Sequence, residues 1–338
     1  MSDFTVTQIG QGVGIMGDIY RLELVYDDAP NERAPASVVV KLPSSYPENR
    51  AQGVALGMFE AEVRFYNELA PRAQVGMPRI YLAQIHSGTA EFVIVMEDLS
   101  AASMVDQQVG MSVAQARAAV EVLASIHATW WDDVQNPTME WIPAMTGPRI
   151  QFVDETLPGL LPAFTAGFAD YLSTDGLALF TAFTGNYLRI NQVLASRSPW
   201  TLVHQDYRVE NLLFGKAGGE VTVLDWQGIG RGPGAYDLAY ILGGSMTTEL
   251  RQAHEDSLVQ NYHDALSAQG VQGYTLAQCR EDYALAHLMG GIATPILLGG
   301  GMDLSNARGV ELVATMASRH AQAALDHDGL ARLREILG

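Results

Sequence analysis

The fold of this chain is decided by the stretch HQDYRVEN at residues 204–211, which is followed after a short gap by LDWQ at residues 224–227. The first stretch keeps the His-x-Asp-x-x-x-x-Asn spacing of a catalytic loop for phosphoryl transfer. We expect Asp206 to orient a hydroxyl nucleophile and accept its proton, and Asn211 and Asp225 to bind Mg²⁺ through oxygen atoms. The pattern therefore predicts a site that works mainly by positioning its reactants and neutralising their charge.

Other residues near this loop are expected to support it. His204 is interpreted as a loop-stabilising residue, because Asp206 already fills the role of base. Asp237, in the segment YDLAY, is predicted to brace the loop from the start of a helix. Arg208 has two open roles, a phosphate contact or an ion pair within the chain. His127 is taken as a buried core histidine with no chemical role.

A nucleotide site is indicated in the first hundred residues. Lys41 ends the strand-like run SVVVK, the setting in which kinases place the lysine that contacts nucleotide phosphates. Its predicted partner is Glu62, which lies beside the apolar stripe of the following helix, whereas Glu60 should point further toward solvent. A solvated lysine at a strand end is the alternative interpretation.

Two further segments complete the predicted nucleotide site. GVGIMG at residues 12–17 supplies Gly12, Gly14 and Gly17 in the pattern Gly-x-Gly-x-x-Gly, and an alternating strand follows it. A strand in this place favours a phosphate-covering hairpin over a dinucleotide-binding turn, which would lead into a helix. The apolar segment 92–99 could read an adenine edge with its backbone, at Glu97 and Leu99. Equally, the acidic residues at its end could simply be exposed to solvent at the end of a strand, with no role in nucleotide binding.

The chain changes character near residue 100. Residues 5–100 show alternating, strand-like runs with one helical pattern over 54–70, and the remainder is mainly helical. We therefore predict an α+β, protein-kinase-like fold of two lobes. The N-terminal nucleotide-binding lobe would span residues 1–99 with an antiparallel sheet and one helix. The catalytic and acceptor-binding lobe would span residues 100–338, with a β-hairpin over 212–224.

The composition of the chain limits the kinds of partner and the location that we expect for the protein. The 338 residues carry 20 Lys and Arg against 38 Asp and Glu, a net charge of −18, which disfavours nucleic acid and anionic membrane surfaces. The longest apolar run, residues 288–302, is interrupted by glycines and Pro295 and is too short to span a bilayer. Cys279 is the only cysteine, and the N-terminus lacks the features of a secretory signal, so a reducing cytoplasm is the expected location. No signal for an oligomeric state is seen.

Several segments in this order resemble the aminoglycoside phosphotransferase superfamily of kinase-like enzymes, in its ecdysteroid-kinase-like and choline-kinase-like branch. The segments are VKLP at 40–43, FEAEVRFY at 59–66, VMEDL at 95–99, LASIHA at 123–128, residues 204–214, LDWQ at 224–227 and residues 234–240. The resemblance implies ATP, Mg²⁺ and transfer of the γ-phosphoryl group to a hydroxyl of a small molecule, with Asp206 as base. Gln205 departs from the glycine of many members, and Trp226-Gln227 stands where protein kinases have Phe-Gly.

Two other function classes are weighed against this one. A nucleotide-binding pseudokinase that regulates a partner would share the fold, but it has no physical need for Lys41, Asp206, Asn211 and Asp225 together. A Rossmann-type oxidoreductase would rest on the glycine pattern alone, and the strand after Gly17 argues against it.

Overall fold

The computed structural model describes residues 1–10, 16–27, 34–215 and 220–338. The strands are β1 Asp3–Ile9, β2 Gly17–Val25, β3 Ser37–Pro43, β4 Ile80–Ile85, β5 Phe92–Glu97, β6 Ser103–Met104, β7 Trp200–Val203, β8 Leu212–Phe214, β9 Val221–Val223 and β10 Gly230–Pro233. The α-helices are α1 Pro47–Ala55, α2 Met58–Arg64, α3 Val113–Thr129, α4 Pro148–Phe168, α5 Thr174–Phe183, α6 Tyr187–Arg197, α7 Ala235–Ser245, α8 Thr248–Ala268, α9 Leu276–Ala286, α10 Gly290–Gly299, α11 Ala307–Asp326 and α12 Gly329–Leu337.

These elements form two compact units. The first unit contains Met1–Ser103 together with Thr222–Gly228, and the second contains Met104–Val221 and Ile229–Gly338. The first unit carries a five-stranded antiparallel sheet, and the second is mainly helical. The predicted α+β class, with an antiparallel sheet in the first unit and a mainly helical second unit, is thereby confirmed.

The sheet of the first unit has the strand order β1-β2-β3-β5-β4. Its central strand, β3, is the Val-rich run identified in the sequence, as expected for a strand with a neighbour on each side. The register pairs Lys41 with Ile19 of β2 and with Ile94 of β5. This central position leaves the Lys41 residue only 6% exposed, so its ammonium group must find partners inside the protein.

The segment predicted as one helix over 54–70 is interrupted. It begins within α1, and the chain turns at Gly57, whose φ of 65° lies in the left-handed region that suits glycine. Helix α2 follows and continues into one wider helical turn at Phe65–Leu69. Phe59 of α2 stacks on Phe92 of β5 with ring centroids 4.8 Å apart, which fixes this helix on the sheet. Glycine at the break is the feature that the periodicity did not take into account.

The second unit is built on helices with apolar faces. Helix α3 begins with a capping box, since the Ser112 hydroxyl accepts from the Gln115 backbone N–H and the Gln115 side chain accepts from the Ser112 N–H. The apolar run 288–302 forms α10, a separate helix that starts after α9 has ended. Within the described residues, no helix is long and apolar enough to cross a membrane.

The predicted catalytic segment lies between short strands of the second unit. Helix α6 ends at Arg197 and leads into β7, which pairs with β10 in antiparallel register. The chain then forms the loop 204–208, one turn of 3-10 helix at Val209–Asn211, and β8. The Gly215 N–H donates to the Glu220 carbonyl at 2.8 Å, which closes the following hairpin. Both ends of the catalytic segment are therefore attached to regular structure.

Candidate active site

In the first unit, Lys41, Glu62 and Asp225 form a buried charge cluster. The Lys41 Nζ atom lies 2.7 Å from Glu62 Oε2 and 2.8 Å from Asp225 Oδ1. The side chains of Lys41 and Glu62 are 7% and 1% exposed, and that of Asp225 is 29% exposed. Glu60, the other acidic residue of this helix turn, instead accepts from the Ser87 hydroxyl at 3.1 Å. The cluster holds one ammonium group between two carboxylates.

The charge balance of this cluster shifts the acid–base properties of its members. Burial lowers the pKa of the Lys41 ammonium, but Asp225 and Glu62 outweigh burial and raise that pKa above its ordinary value. Burial raises the pKa of the Glu62 carboxyl, and the negative charge of Asp225 raises it further. The nearby Lys41 ammonium lowers this pKa but does not cancel the rise. Lys41 is therefore charged at neutral pH, and the cluster has one carboxylate more than its single cation needs.

Asp225 and the residues after it are fixed by unusual local structure. Asp225 has a φ of 61°, in the left-handed region that non-glycine residues seldom adopt. The next residue, Trp226, is fully buried and stacks on Phe65 at a centroid distance of 3.9 Å. Gln227 donates from Nε2 to Asp225 Oδ2 at 3.3 Å. Aromatic packing and this hydrogen bond thus hold the Asp225 carboxylate beside Lys41, with Trp226 in the place that phenylalanine has in protein kinases.

The remaining nucleotide-site predictions lie at strand ends. Gly12 and Gly14 lie outside the described residues, whereas Gly17 begins β2 opposite Pro43. The Glu97 N–H donates to the Arg79 carbonyl at 2.8 Å, and the Leu99 carbonyl accepts from the Ala102 N–H at 2.9 Å. These two backbone groups are already paired, so a nucleotide base would have to use the other backbone groups of this segment.

In the second unit, Asp237 of α7 binds the backbone of the catalytic loop. Its Oδ2 accepts from the His204 N–H at 2.6 Å, and its Oδ1 accepts from the Gln205 N–H at 2.9 Å. His127 Nε2 lies 3.2 Å from the same Oδ2, and His127 Nδ1 lies 2.7 Å from the Tyr262 hydroxyl. Asp237 is completely buried, so these hydrogen bonds must replace all of its lost hydration.

Three side chains of the second unit contact the Asp206 carboxylate. Asn211 Nδ2 donates to Asp206 Oδ2 at 2.9 Å and to the Asp206 carbonyl at 2.8 Å. The Tyr240 hydroxyl donates to Oδ1 at 3.3 Å, and Arg208 Nε lies 3.4 Å from the same oxygen. Because Asn211 uses its nitrogen for both hydrogen bonds, its Oδ1 is the atom that suits a cation. The carboxylate is therefore oriented by the loop that carries it.

Arg208 forms ion pairs within the chain, which was one of its two open roles. In addition to Asp206, its guanidinium contacts the buried Glu210 carboxylate through Nη1. Burial alone would lower the pKa of Arg208, but Asp206 and Glu210 raise it above its ordinary value. Arg208 is thus a fixed positive charge next to Asp206.

Gln205 also receives a structural account. Its φ is 65°, a left-handed conformation that costs a non-glycine residue about 1–2 kcal/mol. A Cβ atom added to Gly230 would lie only 2.8 Å from Gln205 Oε1, so the glutamine side chain lies directly over that glycine. The left-handed backbone explains why glycine suits this position in the proteins that the chain resembles.

Some contributors were not found from the sequence. His127 was assigned no chemistry, yet it contacts the aspartate that holds the loop, and Tyr240 was seen only as part of the Asp237 segment. His127 and Tyr262 are 135 residues apart, a separation at which no periodicity connects them. The segments LASIHA and YDLAY, noted for their resemblance, were the available signal.

Several solved structures of similar shape are described as small-molecule kinases or phosphotransferases. A choline kinase from Cryptosporidium parvum Iowa II matches with a TM-score of 0.57 at 13% identity, over 99% of this chain and 91% of that one. A Plasmodium vivax ethanolamine kinase matches with a TM-score of 0.52 at 13% identity, over 98% and 84%. The GDP complex of aminoglycoside 2'-phosphotransferase-IIIa matches with a TM-score of 0.54 at 14% identity, over 93% and 92%. At such identities the likeness establishes a kinase-like fold.

The sequence itself gives the family. A model of the ecdysteroid kinase-like family matches residues 11–271, which is more than half of the chain. The chain therefore belongs to the ecdysteroid kinase-like family, as the resemblance of its motifs predicted. A search of curated proteins gives no match.

Proposed function

We propose that this protein is an ATP- and Mg²⁺-dependent phosphotransferase that moves the γ-phosphoryl group to a hydroxyl of a small molecule. The observation that carries the proposal is the buried Lys41 ammonium held between Glu62 and Asp225. Burying the Lys41 and Glu62 charges is costly, and a well-packed apolar pair would stabilise the fold at least as well. A nucleotide site explains the arrangement, because phosphate oxygens need a cation and a metal needs a carboxylate.

Different residues would bind different parts of the nucleotide and its metal ion. Lys41 would donate to phosphate oxygens, and Glu62 would keep the lysine side chain oriented toward them. Asn211 and Asp225 supply amide and carboxylate oxygens, the type of ligand that Mg²⁺ prefers. When bound, the ion would neutralise charge on the phosphates. The excess carboxylate found in the cluster suits a site that receives a cation together with its nucleotide.

Asp206 would act on the acceptor. Its carboxylate would accept a hydrogen bond from the acceptor hydroxyl and hold that oxygen toward the γ-phosphorus atom. As the new O–P bond forms, the bond to the bridging oxygen of ADP breaks, and the hydroxyl proton passes to Asp206. Asn211, Arg208 and Tyr240 would keep the carboxylate in this orientation.

The acceptor is proposed to be a small molecule with a free hydroxyl. The family is described as ecdysteroid kinase-like, and solved proteins of similar fold are described as choline, ethanolamine and aminoglycoside kinases or phosphotransferases. These molecules differ in size and charge but share an alcohol group. Neither nucleic acid nor a membrane is proposed as a partner, in keeping with the net charge of −18.

The test is a screen of hydroxyl compounds with the full chain. Hydroxysteroids, amino alcohols, aminoglycosides and sugars are incubated with ATP and Mg²⁺, and ADP release and the phosphorylated product are both measured. GTP is run beside ATP, because similar structures were solved with GDP and with ADP. We expect acceptor-dependent ADP release that a chelator abolishes. Nucleotide binding without any phosphorylated product would favour the pseudokinase reading.

A further inference from the structure

A second cluster of potential ligands lies in the second unit, on helices that the proposed reaction does not use. Glu255 lies on α8, His287 directly follows α9, and His327 directly follows α11. One nitrogen or oxygen from each of these side chains lies within 4.8 Å of the others. Three helices from distant parts of the sequence thus bring two imidazoles and a carboxylate together.

His287 is the unusual member of this cluster. It is 1% exposed, and within the part of the chain that the structure describes neither of its ring nitrogens has a hydrogen-bond partner. A neutral imidazole has one donor and one acceptor, and leaving both unpaired in the interior is unfavourable. An unpartnered buried imidazole in a ligand cluster points to a bound group.

Glu255 and His327 have ligand atoms at a suitable separation, and their partial exposure would let an ion reach them. His327 Nε2 lies 3.3 Å from Glu255 Oε2, and their side chains are 23% and 17% exposed. A tetrahedral ion with bonds of about 2.0–2.2 Å holds its ligand atoms about 3.4 Å apart, so this pair is already at the required separation. The rings of His287 and His327 have centroids 5.0 Å apart. These two rings are nearly parallel, at 9°, so the His287 ring would have to turn before both imidazoles could face one ion.

Positive charge near the cluster is balanced by carboxylates. Arg251 Nη1 lies 2.7 Å from Glu255 Oε2, and its Nη2 contacts Asp326. One guanidinium therefore faces two carboxylates, which leaves an excess of negative charge for an incoming cation. The Tyr283 hydroxyl also donates to Glu255 Oε2, at 3.0 Å. These contacts orient the Glu255 carboxylate, as outer contacts commonly orient metal ligands.

We propose that Glu255, His287 and His327 bind one divalent transition-metal ion of the zinc type, with water as the remaining ligand. Two imidazole nitrogens and one carboxylate oxygen form a donor set that zinc accepts, whereas Mg²⁺ and Ca²⁺ prefer oxygen alone. The ion would lie between the His327 imidazole and the Glu255 carboxylate, in place of their direct contact. It would connect α8 with the ends of α9 and α11, so its role would be structural.

The experiment titrates the metal-free full chain with Co²⁺ and with Zn²⁺. We expect one Co²⁺ per chain with the visible absorption of a four-coordinate ion, displacement of Co²⁺ by Zn²⁺, and a higher melting temperature with Zn²⁺. An excess of Mg²⁺ should produce none of these changes. Binding below one ion per chain, or the spectrum of a six-coordinate cobalt ion, would overturn the proposal.

Co²⁺ binding by single-residue variants tests whether the ion binds at this cluster. Glu255→Gln and His327→Gln alter partly exposed residues and should each weaken Co²⁺ binding by at least about tenfold, since each removes a ligand. His254→Gln changes the neighbouring residue of the same helix and should bind Co²⁺ as the wild type does. Asp225→Asn should also bind it normally, which separates this site from the nucleotide cluster. Undiminished binding by Glu255→Gln and His327→Gln would place the ion elsewhere and refute the assignment.

Discussion

The two charged regions of this molecule are held in different ways. The Lys41 cluster consists of side chains that contact one another, so each charge is balanced by the next. The catalytic loop is held through its backbone, since Asp237 accepts from two successive N–H groups. Under the proposed function, a change in the first region should alter charge balance and nucleotide binding. A change in the second should alter the position of Asp206, the group proposed to face the acceptor.

The largest effect is expected for Asp206→Asn. The amide cannot accept the hydroxyl proton, so turnover should fall by about 10²–10⁴ while nucleotide affinity stays at the wild-type level. Steady-state kinetics and a nucleotide-binding titration measure the two quantities. Asp175→Asn, an exposed aspartate in the same unit, is the control and should leave both unchanged. Equal turnover in Asp206→Asn would remove Asp206 from its proposed role.

Asp237→Asn tests the backbone attachment of the loop. An amide presents one acceptor to two N–H groups and directs its own NH₂ toward the other, in a fully buried site. We expect the free energy of unfolding to fall by about 2–3 kcal/mol, with a loss of turnover that exceeds any loss of nucleotide affinity. Denaturant unfolding and kinetics provide the measurements. A variant with wild-type stability would show that these hydrogen bonds do not hold the loop.

Lys41→Arg tests the nucleotide cluster with the charge retained. The wider, planar guanidinium cannot occupy the point between Glu62 and Asp225 as an ammonium does. Nucleotide affinity should fall about tenfold, or about 1.4 kcal/mol, with a smaller change in stability than Asp237→Asn produces. Calorimetric titration with a non-hydrolysable ATP analogue measures this affinity. If the arginine variant lost turnover alone, the division between the two regions would be incorrect.

The smallest effect is a pH dependence of stability from Glu62. The pKa of this carboxyl rises from 4.5 to about 7, mainly through burial, so the folded chain binds its proton more tightly than the unfolded chain. Its contribution to the free energy of unfolding therefore falls as pH rises from about 4.5 to about 7. Melting temperatures of the nucleotide-free wild type should fall across this window relative to Glu62→Gln. Glu68→Gln, on the exposed side of the same segment, should keep the wild-type slope.

The sequence predicted those features that depend on residues close together in the chain. The loop 204–211 and the valine-rich strand β3 indicated the fold. Each of these patterns is contained in a short, continuous stretch of sequence, so it can be recognised without knowing the tertiary contacts. The helical face separated Glu62 from Glu60, and the contact with Lys41 follows that choice. The break at Gly57 was missed because the apolar spacing on its two sides still fits a single helix.

What the sequence could not give are contacts between distant elements. The His127–Asp237 contact and the grouping of Glu255, His287 and His327 depend on how helices pack, and no local pattern encodes that packing. The pairing of Arg208 was also undecidable, since a guanidinium suits a phosphate as well as a carboxylate. The structure resolves it through the buried Glu210 carboxylate nearby.

The most direct test of the account is ³¹P NMR of the wild-type chain with Mg·ATP and an acceptor found in the screen. We expect the γ-phosphate signal of ATP to decay while the signal of a phosphate monoester on the acceptor grows at the same rate. We further expect Asp206→Asn to slow both changes by about 10²–10⁴ under the same nucleotide occupancy. Release of inorganic phosphate alone, with no monoester formed on any hydroxyl compound, would contradict the proposed transfer.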